Sequence, residues 1–208
     1  MTPAPSETKG VGGRWARVRQ ARRLDLIEAT AEVFAEHGYE NSSMGMLASA
    51  ADVTKATLYA HFREKSRLFE AVLEHWQDSL PEPVLLPVEG TGLGEQLVAV
   101  ERDLRHPASK AMTSALARSV YVPDASLERW HYRHGLLLLH LEEVLSKSAG
   151  HENARHEACR FLNLALCNID RRDAMKLGNL PTDWGVADLF ARAYRTDGRA
   201  SRCVARNH

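Results

Sequence analysis

The 208-residue sequence predicts an all-α protein, and three observations carry that expectation. Apolar residues recur at spacings of three and four along most of the chain, the period of one helix face. No stretch alternates apolar and polar residues in the way a half-buried strand requires. Gly, Pro and Asn/Ser clusters cut the pattern into pieces of ordinary helix length. The composition, 44% hydrophobic and 26% charged, suits a chain that packs a core. Formal net charge is +0, so a polyanionic partner must be met by local charge.

Residues 1–13 are rich in Pro, Gly, Ser and Thr, and Arg14, Arg17, Arg19, Arg22 and Arg23 follow. Residues 1–19 are therefore expected as a disordered basic arm, either a tail reaching a DNA minor groove or a solubilising terminus. A first helix places Leu24, Ile27, Ala31 and Phe34 on one face and Glu28, Glu32 and Glu36 on another, and Gly38 ends it. Ser42 or Ser43 can cap a second helix that carries Met44, Leu47, Ala48 and Ala51 on one side. After a break at Asp52–Val53–Thr54, a short third helix turns Leu58 and Phe62 inward. Lys55, Thr57, Tyr59 and His61 are left for its other faces. A fourth buries Leu68, Phe69, Val72, Leu73 and Trp76.

The stretch LPEPVLLPVEGTG, residues 80–92, holds Pro81, Pro83, Pro87, Gly90 and Gly92 and reads as a boundary. It divides a head at 20–80 from a body at 93–196, with a loose tail at 197–208. Body helices are expected on Leu93, Leu97, Val100 and Leu104; over Ser109–Val122; on Leu127, Trp130, His134, Leu137, Leu138, Leu141, Val144 and Leu145; on Ala158, Phe161, Leu162, Ala165, Leu166 and Ile169; and over Asp183–Tyr194.

Several function classes find little support. The longest aliphatic run, Leu136–Leu139, falls far short of the ~20 residues a membrane span needs, so no membrane partner is expected. The N-terminus lacks an apolar signal core, and Cys159, Cys167 and Cys203 form no CxxC pair. Both features lead to the expectation of reduced thiols and a cytoplasmic location. His131 and His134, with Cys159 or His156 near by, supply one helical pair, whereas zinc wants three or four converging ligands. No metal and no cofactor are expected. No nucleophile elbow, phosphate-binding glycine loop or zinc signature appears. A small cytosolic helical enzyme and a metal-sensing regulator remain the competing readings.

The segment Ala51–Lys65 carries the sharper one. Two short helices around a tight turn have helix-turn-helix spacing, in which the second helix enters the DNA major groove. Small Ala48 and Ala51 permit close approach to Leu58 and Phe62. Asp52 tolerates the left-handed backbone the turn needs, and Thr54 can cap the second helix. Lys55 at its tip can reach a base edge; Tyr59, His61 and Lys65 offer donors to phosphates.

LASAADVTKATLYAHFREKSRLFEAV resembles the recognition signature of the tetracycline-repressor (TetR) family of bacterial regulators. The correspondence runs through Leu47, Ala48, Ala51, Val53, Thr54, Thr57, Leu58, Tyr59, His61, Phe62, Lys65 and Leu68. Asp52 stands where the family usually has Gly, and Glu64 where Asn or Ser is common. The resemblance covers about residues 20–78. It implies a three-helix DNA-binding head and a helical ligand-binding, dimerising body, in a regulator, most often a repressor, that binds a palindromic operator as a homodimer. DNA contacts are expected from Ser43, Thr54, Lys55, Ala56, Thr57, Tyr59, His61 and Lys65. Met112, Tyr121, Trp130, His134 and Phe161 fit either the lining of an effector pocket or plain core packing. The small-residue faces of Ala158–Ile169 and Trp184–Tyr194 suit packing between two copies.

Overall fold

The computed structural model describes residues 9–149, 153–170 and Ala187. Among them are eight helices and no strand: α1 (Lys9–His37), α2 (Met44–Ala50), α3 (Lys55–Phe62), α4 (Lys65–Ser79), α5 (Leu93–Leu104), α6 (Pro107–Ala117), α7 (Asp124–Ala149) and α8 (Ala154–Asp170). The expected helix over Asp183–Tyr194 (apart from Ala187), the tail at 197–208 and the Trp184–Tyr194 half of the expected dimer face lie outside the described residues.

The chain divides into two compact units, Met1–His75 with Ser114–Val122, and Trp76–Thr113 with Pro123–His208. In the first, α1 buries Leu26, Ile27, Ala31 and Phe34, and the Phe34 and Phe69 rings pack 4.9 Å apart between α1 and α4. Leu24, expected on that face, is 43% exposed. The buried register runs through Leu26, Thr30 and Phe34, and Thr30 joins it because its hydroxyl donates to the Leu26 carbonyl at 2.8 Å. The arm needs a second correction. Residues 9–19 are helical, part of α1, as Arg14, Ala16, Arg17 and Arg19 favour and as no proline prevents.

In the second unit, α5 and α7 run antiparallel along one seam. Gln96 meets His140 (2.9 Å) at one end and Asp103 meets Arg133 (2.5 Å) at the other. Between these polar pairs lie Val100 and Leu137, both fully buried. With Leu97, Leu104, Leu141 and Leu145, and with Ala158, Phe161 and Ala165 of α8, they form one core. The polar pairs act as register marks, since a one-turn slip would separate the buried Asp103 from Arg133 and the buried His140 from Gln96. The proline-rich linker is tied down from the same seam: Gln96 Nε2 donates to the Pro87 carbonyl at 2.8 Å, and Arg133 Nη1 to the Pro81 carbonyl at 2.7 Å.

Helix α6 begins with Pro107, whose missing N–H costs nothing in the first turn. It ends at Ala117, short of the expected Val122. Ser119, Val120 and Tyr121, part of the first unit, instead bond to the stretch that follows α1. Glu40 accepts from Val120 N (3.0 Å) and Tyr121 N (2.7 Å), and Ser119 Oγ accepts from Tyr39 N (2.9 Å). Those two amide bonds hold the Glu40 carboxyl below the usual glutamate range.

Candidate nucleic-acid interface

Helices α2 and α3 are both capped by hydroxyls. Ser43 Oγ accepts from Met46 N (3.2 Å), and Thr54 Oγ1 accepts from Thr57 N (3.2 Å) while sharing a 2.9 Å bond with the Thr57 hydroxyl. The turn between them closes by two backbone bonds, Val53 N to Ala48 O (3.0 Å) and Asp52 N to Ser49 O (3.2 Å). This is the Schellman pairing at a helix C-terminus, whose residue past the cap must be left-handed. That residue is Asp52, with φ 49°. Met44, Leu47, Ala48, Leu58 and Phe62 are buried, so the angle between α2 and α3 is set by packing on both sides of a hydrogen-bonded turn.

The outward face of α3 is polar. Lys55 and Ala56 are exposed, Thr57 and His61 half-buried, and Tyr59 is 48% exposed. The Lys55 stem lies over α2: a Cβ placed on Gly45 would stand 3.0 Å from Lys55 Cε. Among the described residues the Lys55 ammonium has no hydrogen-bond or ion-pair partner. An unpaired cation beside a helix N-terminus is poised for an anion or an electronegative base edge. Behind this face, Arg23 of α1 holds the far end of α3. Its Nη1 donates to the His61 carbonyl (3.3 Å), and its guanidinium stands 4.3 Å over the Phe62 ring.

Lys65 stands apart from the expectation. Its ammonium donates to the carbonyls of Tyr39 (2.7 Å) and Ser42 (2.9 Å) and sits 4.1 Å above the Tyr39 ring. The donors expected for phosphate are turned inward, and Lys65 braces the loop that enters α2. The link from α3 to α4 is also tighter than the sequence suggests. Arg63 has φ 64° and ψ −43°, and Glu64 N donates to Phe62 O at 2.7 Å, a three-residue γ-turn in a strained backbone region.

The five candidate effector residues do not converge. Tyr121 belongs to the first unit, its ring 4.6 Å from Tyr39 and its hydroxyl donating to Glu70 at 3.3 Å. Phe161 lies in the α5/α7/α8 core, and Met112 on α6 is fully buried. The Trp130 and His134 rings pack against each other, centroids 3.7 Å apart and tilted by 39°. Trp130 lines a cleft of about 140 Å³ with Gln77, Leu80, Pro83, Arg133 and Leu136. His134 Nδ1–H donates to the Trp130 carbonyl at 2.8 Å, which leaves Nε2 as the acceptor, buried and without a partner among the described residues. Burial lowers the pKa of this imidazole, so the neutral form is favoured.

Residues 26–72, spanning α2, the turn and α3, match the family model described as bacterial regulatory proteins, tetR family. These residues form a TetR-family domain. The chain is 42% identical over 62 residues to the transcriptional activator FasR of Mycolicibacterium smegmatis, covering 30% of this chain and 28% of that protein. It is 27% identical over 99 residues to the regulator AcrR of Shigella flexneri, 48% of this chain and 46% of the other. The chain thus aligns with less than half the length of these curated relatives. The fold likeness reaches further. A TetR-like regulator from Rhodococcus sp. RHA1 aligns with TM-score 0.61 at 20% identity over 85% of this chain and 94% of its own. AibR, solved with isovaleryl coenzyme A and operator DNA, aligns with TM-score 0.61 at 23% identity over 83% and 97%.

Within this TetR-family head, periodicity and the motif locate the exposed residues of α3 but miss Arg23, Glu40 and the inward role of Lys65. Each of those partners lies 23 or more residues away in sequence. No local spacing signals them.

Proposed function

We propose that the chain is a transcriptional repressor that binds a palindromic DNA operator as a homodimer and releases it when a small effector binds the body. The observation that carries this reading is the exposed polar face of α3, with the unpaired Lys55 ammonium at its tip, on a helix held from behind by packing and by Arg23. Lys55 takes the base-edge role, with guanine O6 and N7 as its natural acceptors, and Ser43, Thr54, Ala56, Thr57, Tyr59 and His61 surround it along the backbone. The DNA partner sets the compartment, the cytoplasm. The relatives it resembles include both an activator, FasR, and a repressor, KstR2 of Rhodococcus jostii. That AibR was solved with an acyl-coenzyme A and operator DNA supports a two-ligand reading of this fold.

For the effector we propose the Trp130 cleft, where the indole offers an apolar wall and His134 Nε2 an acceptor close behind it. The effector acts by favouring a conformer with lower DNA affinity. The test is selection of duplexes from random-sequence DNA by the full-length protein. The proposal expects a two-fold symmetric consensus whose half-sites are spaced by about one helical turn, ~10 bp, or a multiple of it. Recovery of no enriched sequence, or of a single unrepeated half-site bound by a monomer, overturns it.

A further inference from the structure

Resting on that DNA-binding reading, we infer that the N-terminal extension of α1 is a basic helical rod that grips the phosphates flanking each half-site. Lys9 to Arg23 hold six basic residues and no acidic one, in a chain whose overall charge balances. All residues from Gly13 to Arg22 are exposed on a continuous helix. Arg14, Arg19 and Arg22 engage no partner among the described residues. A bare cationic helix gains nothing from the core of its own unit, and its charges repel one another at i, i+3 and i, i+4 spacing. A polyanion removes that cost.

The place from which the rod departs selects the polyanion. Arg23, next in line, is fastened to the C-terminal end of α3 through the His61 carbonyl and the Phe62 ring. Arg19 lies one turn before Arg23 on the same helix face, and Arg22 is its neighbour on the adjoining face. The rod therefore starts where the proposed recognition helix ends. From Arg23 back to Arg14 it covers nine residues, about 14 Å at the helical rise, the length of roughly four base pairs. Being helical, it does not fit a minor groove as an extended tail does, and phosphate contact along the duplex is the geometry left to it. Exposed Trp15 (61%) and Val18 (54%) share the rod, and a basic helix with such residues can also lie on an anionic membrane. Two apolar side chains set among Arg14, Arg17 and Arg19 make a poor membrane face, and the pinning to α3 favours DNA.

The experiment compares full-length wild type with Arg14→Ala/Arg19→Ala/Arg22→Ala. The probe is a duplex recovered by selection, in one form trimmed to the half-sites and in another extended by six base pairs at each end. Binding of wild type to that probe at all tests the underlying DNA-binding reading; the contrast between variants tests the rod. The triple variant should bind the trimmed duplex like wild type and lose affinity only for the extended one. Its salt slope on the extended duplex should be shallower by up to ~2.7, at ~0.9 per phosphate released. Between 50 and 200 mM salt, wild type should then lose about 40-fold more affinity than the variant. Base preference within the half-site should be the same for both proteins. Equal slopes and equal affinities on the extended duplex overturn the inference. So does a loss confined to binding of phosphatidylserine vesicles, which would make the rod a membrane contact. Alanine is a strong helix former, and an unchanged circular dichroism spectrum confirms that the rod stays helical in the variant.

Discussion

Replacing Lys65 by methionine separates a brace from a DNA contact, two roles with opposite signatures. The ammonium makes two charge-assisted bonds, to the Tyr39 and Ser42 carbonyls, and a cation–π contact with the Tyr39 ring. Hydrogen bonds to charged groups contribute ~1.5–3 kcal/mol each. A cation–π contact adds ~0.5–1 kcal/mol at partly exposed sites. Lys65 is half-buried, and the three contacts share one nitrogen, so they do not simply add. A net loss of about 2–4 kcal/mol follows from those magnitudes. Methionine keeps the stem over Tyr39, so the loss isolates the ammonium. Its effect should concentrate in the loop that enters α2, because Ser42, only 3% exposed, is left with an unpaired carbonyl. The assay is amide hydrogen exchange of residues 39–53 in the full chain, which reads local opening without assuming that two units unfold together. A loss of 2 kcal/mol corresponds to roughly 30-fold faster exchange. The salt dependence of DNA binding should keep its slope. If exchange stays within threefold of wild type while the slope becomes shallower by ~0.9, Lys65 contacts a phosphate and the brace argument fails.

Asp52→Gly should stabilise the head by about 0.5–1 kcal/mol, because a left-handed residue costs a side-chain-bearing type ~1–2 kcal/mol and Gly returns part of that as unfolded-state entropy. Asp52→Asn, which removes the charge but keeps the side chain, should give less. Equal denaturation midpoints for Asp52→Gly and wild type would refute the strain argument. Lys55→Ala should leave exchange rates untouched and relax base preference at symmetric positions, at about 1–3 kcal/mol per lost contact. Tyr59→Phe should instead weaken selected and scrambled duplexes alike, and competition binding on both distinguishes the two patterns. The body should respond to acid. Burial lowers the pKa of both His140 and His134, so the folded state resists protons that the unfolded state binds from about pH 6.5 downward. Their contribution is complete above that pH and is lost as pH falls through the folded values. His134→Gln/His140→Gln should accordingly lose less stability than wild type between pH 7.5 and 5.5 in urea titrations; an equal loss assigns the acid sensitivity elsewhere.

Periodicity was enough to read the helical class and most of the helices, because a buried face must repeat every three or four residues whatever it packs against. The turn at Asp52 and the Thr54 cap were legible for a related reason: both are contacts within six residues, and a few side-chain types meet their demands. The face of α3 followed from the same local logic. What tertiary structure decided is the destination of the charges. Lys65 and Arg23 look in sequence like the other cations of the head. Only the fold brings the Tyr39 and Ser42 carbonyls to the first and the His61 carbonyl and Phe62 ring to the second. Arg14, Arg19 and Arg22 look the same again and meet no such group among the described residues. Likewise Tyr121 reads as a body residue by position, yet Glu40 takes its amide and that of Val120 into the first unit, 80 residues away along the chain. A long cation's role depends on which carbonyl, ring or carboxylate comes within about 3–4 Å, and that proximity is set by packing between segments whose order in the chain does not encode it.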